Sequence, residues 1–331
     1  MNIREIAKQA RVSVATASRV INRNPTVAPQ LARRVHKAVQ ELGYFPNTQA
    51  RALVSGKSRI LGLIVSEITN PFFPEVIQAF EDIAVQHNYE ILLSSTAHDP
   101  KRMELSVRRM IERRVDGVAV VTFGTEDSLI ADLRFRKVPL VFVDVASGAT
   151  GIGNIRVDYL HGIRQAVQHL AALRHTRIAF VSGPLHLRPA MARKDAFEQA
   201  MREIGLEASA GLVAGDHTIE GGMQALAELV GQPERPTAVL CSNDLTAIGV
   251  IREAYERGIP VPAGLSVVGF DDIPLSQFTI PPLTTVKLSQ AELARLAFQA
   301  LTDDANGAGE YLLLTNLVLR RSTSLAMAPA S

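Results

Sequence analysis

The first 42 residues place apolar and polar positions with the period of short helices. A first amphipathic helix is predicted from an apolar face with i, i+3, i+4, i+7 spacing, formed by Ile3, Ile6, Ala7 and Ala10. Residues 11–13 break the pattern, and Ser13 is a good N-cap for a second helix over 14–22. A third helix begins near Pro29 and ends at Gly43. Three short helices with tight turns indicate a small all-α domain.

From residue 60 the pattern changes to short apolar runs separated by amphipathic segments. The runs predict strands over 60–68, 89–95, 115–121, 138–144, 176–183, 236–242 and 265–271. Continuous apolar strands that alternate with helices indicate parallel sheets covered on both faces. We therefore predict a two-lobed α/β core. The lobes are expected to comprise about 60–158 with 288–315, and about 162–285 with a C-terminal strand.

The charge of the chain is concentrated in its first part. Residues 1–58 contain ten lysine or arginine residues and two acidic ones, a net charge of +8, whereas the whole chain carries +2. The remainder is therefore negative by 6 charges. A basic head on an acidic body indicates a polyanionic partner for the head alone. Because the charge coincides with a helix-turn-helix pattern, we interpret that partner as DNA rather than treating the charge as a solvated surface.

The second helix is the predicted DNA-reading element. Its inward positions are Ala17, Val20 and Ile21, which leaves a polar outer face. An arginine such as Arg19 can donate two parallel hydrogen bonds to a guanine edge, and hydroxyl and amide side chains suit phosphate oxygens. The candidate DNA-binding residues of this helix are Ser13, Val14, Ala15, Thr16, Ser18, Arg19 and Asn22.

Residues 47–59 are expected to link the head (1–46) to the core (60–331). Pro46 ends any continuous helix, and the segment after it can form about two turns, which are marginally stable alone in water. Leu53 is the apolar residue best placed to act as a wedge in a minor groove. A plain linker with an incidental leucine is the alternative interpretation. The residues expected to touch DNA here are Asn47, Ala50 and Leu53.

Polar and aromatic residues follow the predicted strands, where parallel sheets bind their ligands. Phe72 and Phe73 open a helix after the first strand, and Asp271 ends the last one. Such groups suit a polyhydroxylated ligand, because charged groups bond its hydroxyls and a ring stacks on its C–H face. Residues of these types also have purely structural interpretations. Asp158 and Asp244 could be helix N-caps, Phe72 and Phe73 could pack in the core, and His217 could be an ordinary loop residue.

The chain resembles the lactose/galactose-repressor (LacI-type) family of transcriptional regulators from end to end. The resemblance rests on NIREIAKQARVSVATASRVIN, YFPN and ARAL in the head, and on GPL before Arg193 and VVGFDD in the core. It implies that the second helix reads the operator, that Leu53 intercalates at the operator centre, and that the core has a periplasmic-binding-protein-like fold. Arg11 stands where members of the family usually have Gly or Asn. That turn is expected to be left-handed, at a cost of ~1–2 kcal/mol for a bulky residue.

The resemblance also implies a set of effector-binding residues: Phe72, Phe73, Asp158, Arg193, His217, Asn243 and Asp271. His217 stands where many members have an aromatic residue, and Leu288 where some sugar sensors have a polar amide. We expect a sugar or sugar derivative as the effector, with a purine-type corepressor as the alternative.

Other classes of protein fit the sequence less well. Gly56-Lys57-Ser58 lacks the first glycine of a phosphate loop because Arg51 stands there, and neither a GxSxG elbow nor an HExxH metal spacing occurs. Cys241 is the single cysteine, so no disulfide within the chain is expected. We expect no catalytic residue, metal or cofactor, and a Rossmann-type sugar enzyme is a rival that operator binding without turnover would exclude.

The start of the chain bears on its compartment. No signal-peptide pattern is present there, and no apolar run reaches ~18 residues. The sequence therefore predicts a cytoplasmic protein without membrane attachment, rather than a sugar-binding transport protein. The tail after Arg321 has no heptads, so a tetramerising coiled coil is not expected.

Together these patterns predict a homodimeric, sequence-specific repressor that binds a pseudo-palindromic operator. Effector binding between the lobes is expected to change DNA affinity through a coupling free energy of ~1–3 kcal/mol.

Overall fold

The protein is described here by a computed structural model. The described residues are 2–22, 26–44, 56–121, 138–144, 152–303 and 309–326. Contacts divide the chain into one unit of residues 1–59 and another of residues 60–331. Asn47, Ala50 and Leu53 lie outside the described residues, so their roles remain predictions.

The head contains the three predicted helices: α1 (Ile3–Ala10), α2 (Val14–Ile21) and α3 (Pro29–Glu41). They enclose a small apolar cluster of Ile6, Ala7, Ala10, Ala17, Val20, Val35 and Ala38. The Arg34 guanidinium donates to the Arg11 carbonyl at 2.8 Å, which ties α3 to the turn between α1 and α2. The fold of the head therefore rests on the apolar faces that the sequence indicates.

Local signals account for the ends of these helices. Asn2 and Glu5 form a capping box at the start of α1, and the Ser13 hydroxyl accepts from the Thr16 amide at the start of α2. Arg11 has φ 52° and ψ 50°, so the expected left-handed turn is confirmed. Ala28 precedes α3 without a side-chain cap, which leaves that helix with fewer satisfied amides at its start.

The first sheet of the core is parallel and has the strand order β11-β5-β4-β3-β1-β2. Its strands are β1 (Ile60–Val65), β2 (Glu90–Ser95), β3 (Gly117–Val121), β4 (Leu140–Val143), β5 (Gly153–Asp158) and β11 (Glu310–Leu314). Because these strands are parallel, their carboxyl ends lie along one edge of the sheet. Residues 66, 96, 121 and 143, at the ends of β1 to β4, lie at that edge.

The second sheet has the order β12-β10-β9-β8-β6-β7. Its strands are β6 (Ile178–Val181), β7 (Ala210–Val213), β8 (Ala238–Cys241), β9 (Ser266–Asp271), β10 (Thr284–Lys287) and β12 (Asn316–Val318). All neighbours are parallel except β10 and β12, which pair antiparallel. The predicted two-lobed α/β core with parallel sheets is thus confirmed.

Helices cover both sheets on both faces. They are α4 (Phe72–Gln86), α5 (Pro100–Glu112), α6 (Tyr159–Ala172), α7 (Arg188–Glu203), α8 (Ile219–Gly231), α9 (Asp244–Glu256) and α10 (Gln290–Thr302). The first sheet packs α4 and α10 on one face and α5 on the other. The second sheet packs α6 and α7 on one face and α8 and α9 on the other. This double cover explains why the strands are almost continuously apolar.

The chain crosses between the two sheets at three places: after Asp158, after Leu288 and at Thr315. The buried Thr315 hydroxyl donates to the Asp158 carbonyl at 2.7 Å and accepts from the Gly162 amide at 3.0 Å. A Cβ at Gly162 would lie 2.6 Å from that hydroxyl, so glycine is what permits this approach. The connection after Asp158 and the connection at Thr315 are therefore joined by hydrogen bonds.

Four strands were missed by the sequence pattern, and one prediction was wrong. Strands β5, β7, β10 and β11 were not predicted, because their sequences GNIRVD, AGLV, TTVK and EYLLL contain only short apolar runs. Asp244 does not cap α9, because Asn243 holds the cap position and accepts from the Thr246 amide at 2.9 Å. Asp244 is instead buried as the first residue of the helix. Within the described ranges, no helix combines the length and the apolar character needed to cross a bilayer.

The left-handed backbone at Arg11 leads to a stability prediction. Arg11→Gly should raise the free energy of unfolding of the head by about 1 kcal/mol, because glycine adopts positive φ without the Cβ penalty. Hydrogen exchange of the α1 to α3 amides in the full chain measures this. Arg11→Ala is the control, since it removes the same side chain but keeps the penalty. Equal protection in the two variants would show that the backbone carries no strain there.

Candidate functional site

The outer face of α2 is the first candidate site. Val14 is 43% exposed, and Ala15 and Arg19 are exposed, whereas Ala17 and Val20 are buried against the other head helices. The helix therefore presents its predicted DNA-binding side to the surface. Sequence spacing alone separated the two faces, because helix packing follows the apolar stripe.

Short polar side chains surround the start and end of α2. The Ser13 hydroxyl accepts from the Thr16 amide at 3.1 Å and lies 2.9 Å from the Thr16 hydroxyl. Asn22 donates to the Ser18 hydroxyl at 3.4 Å. The Arg19 guanidinium bonds to none of the described residues. The Ser13 hydroxyl can donate to a phosphate while it still caps α2, and the Arg19 guanidinium can turn to a phosphate or a base edge.

The second candidate site is a cleft at the carboxyl ends of both core sheets. It comprises about 640 Å³ of space between protein atoms, part of which is open solvent. The residues that line it are Ser66, Glu67, Asn70, Phe72, Phe73, His98, Val121, Val143, Tyr159, Leu187, Pro189, Arg193, His217, Asn243, Asp271, Leu288 and Leu293.

Arg193 is the central charged group of the cleft. It is 7% exposed, and its Nη2 lies 3.2 Å from Asp271 Oδ1 while its Nη1 donates to the Ser242 carbonyl at 2.6 Å. Its guanidinium carbon lies 4.0 Å from the centre of the Phe270 ring and 5.4 Å from that of Tyr159. A guanidinium has five N–H donors, and Asp271 and the Ser242 carbonyl occupy only one on Nη2 and one on Nη1. Arg193 therefore keeps donors for a ligand.

Asp271 presents the matching acceptor. Its Oδ1 is used by Arg193, whereas Oδ2 accepts no hydrogen bond from the described residues. Its backbone has φ 111°, a conformation that L side chains rarely adopt, and Gln290 donates to its carbonyl at 3.1 Å. Burial raises the pKa of Asp271 to about 6, although the Arg193 charge acts in the opposite direction.

His217 and Asn243 form a second polar edge. His217 Nε2 lies 2.9 Å from the Ser242 hydroxyl, and the Asn243 amide donates to the His217 carbonyl at 3.0 Å. Burial and the nearby Arg193 charge lower the pKa of His217 to about 3, so this ring is neutral at pH 7. A Cβ at Gly183 would lie 1.9 Å from His217 Nε2, which explains the glycine in the GPL motif.

Tyr159 was missed by sequence reasoning. It lies at the start of α6, and its hydroxyl donates to Asp144 Oδ2 at 2.6 Å. Asp144 Oδ1 accepts from the Val157 amide at 2.8 Å, so both carboxylate oxygens have donors. Burial and the Asp144 charge raise the pKa of Tyr159, which keeps its hydroxyl protonated. The Tyr159 ring thus lies beside the Arg193 guanidinium, while its hydroxyl is hydrogen-bonded to Asp144, the residue after β4.

The structure brings most of the predicted effector residues together at this cleft. Phe72, Phe73, Arg193, His217, Asn243 and Asp271 line it. Phe72 and Phe73 meet edge to face with 5.4 Å between their ring centres. Asp158 is not among the described lining residues, and its Oδ1 accepts from the His161 amide at 3.0 Å as the N-cap of α6. The next residue, Tyr159, lines the cleft instead.

Ser66, Glu67, Asn70 and His98 are further polar lining residues that were not singled out from the sequence. Each follows the end of β1 or β2, so the position after each predicted strand was the available signal. Within the described ranges, no group of three His, Cys, Asp or Glu side chains is arranged to hold a metal ion.

The raised pKa of Asp271 leads to a pH prediction. Because the folded state binds this proton more tightly than the unfolded chain, the contribution to stability is complete below pH 3.8 and is lost as pH rises through about 6. A difference of about two pH units corresponds to about 3 kcal/mol. The free energy of unfolding of the native protein, minus that of Asp271→Asn, should therefore fall by about 2–3 kcal/mol between about pH 4 and 7.

Urea unfolding followed by circular dichroism across that pH range measures the difference, since the chain has no tryptophan. Asp195→Asn is the matched control, because Asp195 is an exposed carboxylate on α7. A difference that stays constant across the range would show that Asp271 titrates normally.

Two family models match this chain. The model described as "Bacterial regulatory proteins, lacI family" matches residues 2–47, and the model described as "Periplasmic binding protein-like domain" matches residues 167–323. The first covers the three head helices, and the second covers most of the second sheet.

Whole-length relatives agree with these matches. The Catabolite control protein A of Priestia megaterium is 34% identical over 92% of this chain and 93% of that protein. The Ribose operon repressor of Escherichia coli (strain K12) is 34% identical over 90% and 91%. A solved structure of a lac repressor dimer, bound to operator and the anti-inducer ONPF, has a TM-score of 0.88 at 29% identity and covers 98% of this chain and 99% of that one. These relatives are regulators rather than enzymes, and the chain belongs to the lacI family of bacterial regulatory proteins.

Proposed function

We propose that this chain is a homodimeric repressor whose affinity for a pseudo-palindromic operator is controlled by a sugar bound in the core cleft. The observation that carries the proposal is the cleft itself: Arg193 and Asp271 hold one another and still keep a donor and an acceptor for a ligand. The same chain presents an exposed polar helix in a basic head. A sensor and a DNA-binding element are thus joined in one protein.

The DNA-binding part of the proposal rests on α2. Its surface carries the exposed Arg19, whose guanidinium bonds to none of the described residues, and the partly exposed hydroxyls of Thr16 and Ser18, which suit base edges and phosphates respectively. The lac repressor structure contains operator DNA, and this chain shares its fold over almost the whole length. We assign base contact to Arg19 and phosphate contact to Ser13, Thr16 and Asn22.

The ligand part rests on the mixture of groups in the cleft. Phe72 and Phe73 supply aromatic edges and faces, while Arg193, Asn243 and Asp271 supply polar contacts. A sugar ring offers an apolar C–H face and hydroxyls that donate and accept, which fits this mixture. The similarity to the Ribose operon repressor favours a sugar over a purine corepressor. The match of residues 2–47 to the lacI family favours this function over a sugar-binding transport protein.

Dimer formation is supported by an exposed apolar segment. Phe278 is 78% exposed and Ile280 92% exposed, and Leu275 precedes them on the same segment. Adjacent large apolar side chains on a surface are typical of an interaction site. The lac repressor relative is a dimer. A two-fold dimer would present two copies of α2, which matches a pseudo-palindromic site.

Arg19→Ala should relax base preference at one position in each half-site and cost ~1–3 kcal/mol of specific affinity per contact. Selection from a randomised operator library, followed by binding measurements at fixed salt, tests this. Arg33→Ala is the control, because it removes the same charge from an exposed position on α3. If both variants select the same site as the native protein, Arg19 does not read a base.

Sugars that bind the cleft should raise the melting temperature of the full chain, because they bind only the folded state. A thermal-shift panel with D-ribose, D-galactose, D-glucose and hypoxanthine separates a sugar from a purine. Arg193→Ala should abolish the shift, whereas Arg188→Ala should keep it, since Arg188 begins the same helix outside the lining. A shift that survives Arg193→Ala would place the ligand elsewhere.

A further inference from the structure

The described lining of the cleft holds more negative than positive charge. Its carboxylates are Glu67 and Asp271, and Arg193 is its single arginine or lysine. A further carboxylate, the half-buried Asp144, lies behind Tyr159 and accepts from its hydroxyl at 2.6 Å. His217 is neutral at pH 7, because burial and Arg193 lower its pKa to about 3. His98 is the other ionisable residue of this lining, and apart from it a ligand in the cleft meets a surplus of negative charge.

The charge of Arg193 is already balanced inside the protein. The Asp271 carboxylate lies 3.2 Å from its Nη2, and both side chains are buried. The Ser242 carbonyl and the Phe270 ring add further negative electrostatic potential to the same guanidinium. An anionic ligand would thus have to displace Asp271 or lie beside it, and like charges at such distances disfavour each other.

The remaining hydrogen-bonding groups fit hydroxyls better than phosphates. Arg193 offers N–H donors without acceptors, and Asp271 Oδ2 offers an acceptor without a donor, both among the described residues. A hydroxyl donates and accepts, so a pair of neighbouring hydroxyls can satisfy both groups. A phosphate dianion only accepts, so it would leave Oδ2 facing another negative oxygen.

Helix starts are the other common anion sites, and those near the cleft are largely occupied. Side chains cap three of the helices: Asp158 caps α6, Thr218 caps α8 and Asn243 caps α9. In the first turn of α4, the Phe72 amide donates to the Asn70 side chain at 3.1 Å. The start of α7 has no side-chain cap, but Pro189 in its first turn has no N–H to offer.

We infer that the effector is an uncharged polyhydroxylated molecule, and that Asp271 excludes phosphorylated and carboxylated sugars by neutralising Arg193. The inference rests on the proposed function, because it describes the ligand of the same cleft. It goes further in assigning Asp271 a specificity role: the carboxylate decides the charge of the ligand as well as binding its hydroxyl.

Thermal shift and calorimetry on the full chain test the inference with matched probes. D-ribose is compared with D-ribose 5-phosphate, and D-galactose with D-galactose 6-phosphate and D-galacturonate. The neutral member of any pair that binds should bind at least about tenfold more tightly, as expected for one unfavourable charge contact. Tighter binding of a phosphate or carboxylate form would overturn the inference.

Inorganic phosphate at matched ionic strength provides a test that does not depend on which sugar binds. The native protein should show no shift, whereas Asp271→Asn should gain one because Arg193 is then unbalanced. Asp195→Asn, which removes an exposed carboxylate from α7, should behave like the native protein. Glu67→Gln gives a second cleft variant at a partly exposed position, with a smaller gain expected.

The outcomes separate the inference from the proposed function. A phosphate shift in the native protein that Arg193→Ala removes would overturn the inference. So would the absence of any gain in both Asp271→Asn and Glu67→Gln, since carboxylates would then not be what excludes anions. If no sugar in the panel binds but the variants gain phosphate binding, the charge assignment stands and the proposed sugar effector fails.

Discussion

Burial of the Arg193 guanidinium is the interaction on which the cleft depends. A cation with so little exposed surface needs acceptors around it, and Asp271, the Ser242 carbonyl and the Phe270 ring supply them. These partners lie on β9 or follow β8, whereas Arg193 lies on α7. Removing one partner of such a pair leaves an uncompensated buried charge, which costs ~3–5 kcal/mol. The guanidinium therefore holds α7, the end of β8 and the end of β9 in fixed positions relative to one another.

Residues with strained backbone conformations lie at the carboxyl ends of the strands, beside the cleft. His98, Asp144, His217 and Asp271 all have positive φ, and each follows or ends a strand near the cleft. Such conformations cost of order 1–3 kcal/mol each and persist only where the surroundings determine them. The tightly packed helices on both faces of each sheet provide that constraint. Stability from the apolar layers thus maintains the polar geometry that a ligand meets.

Periodicity predicted the head and most of the core because these segments pack by one apolar face or by continuous apolar strands. Arg193 and Asp271 were predicted through the family resemblance, because GPL before Arg193 and VVGFDD around Asp271 match specific motifs. Tyr159 was not, since its role depends on Asp144, which comes fifteen residues earlier and meets it only through the pairing of β4 with β5. Asp158 has the N-cap role that the sequence left open as an alternative: it ends β5 with an acceptor that serves the following helix.

Asp244 and Asp271 show why a buried carboxylate does not by itself mark a binding site. Both are buried, and burial raises the pKa of each. Asp244 Oδ1 accepts from the Thr285 hydroxyl at 2.5 Å, and its Oδ2 accepts from the Ile273 amide at 2.8 Å, so both oxygens serve the fold. Asp271 gives one oxygen to Arg193 and leaves the other facing the cleft residues. Since the two carboxylates have similar burial, Asp271 differs from the structural Asp244 in the single acceptor that the described residues leave unfilled, which is the property expected of a ligand-binding group.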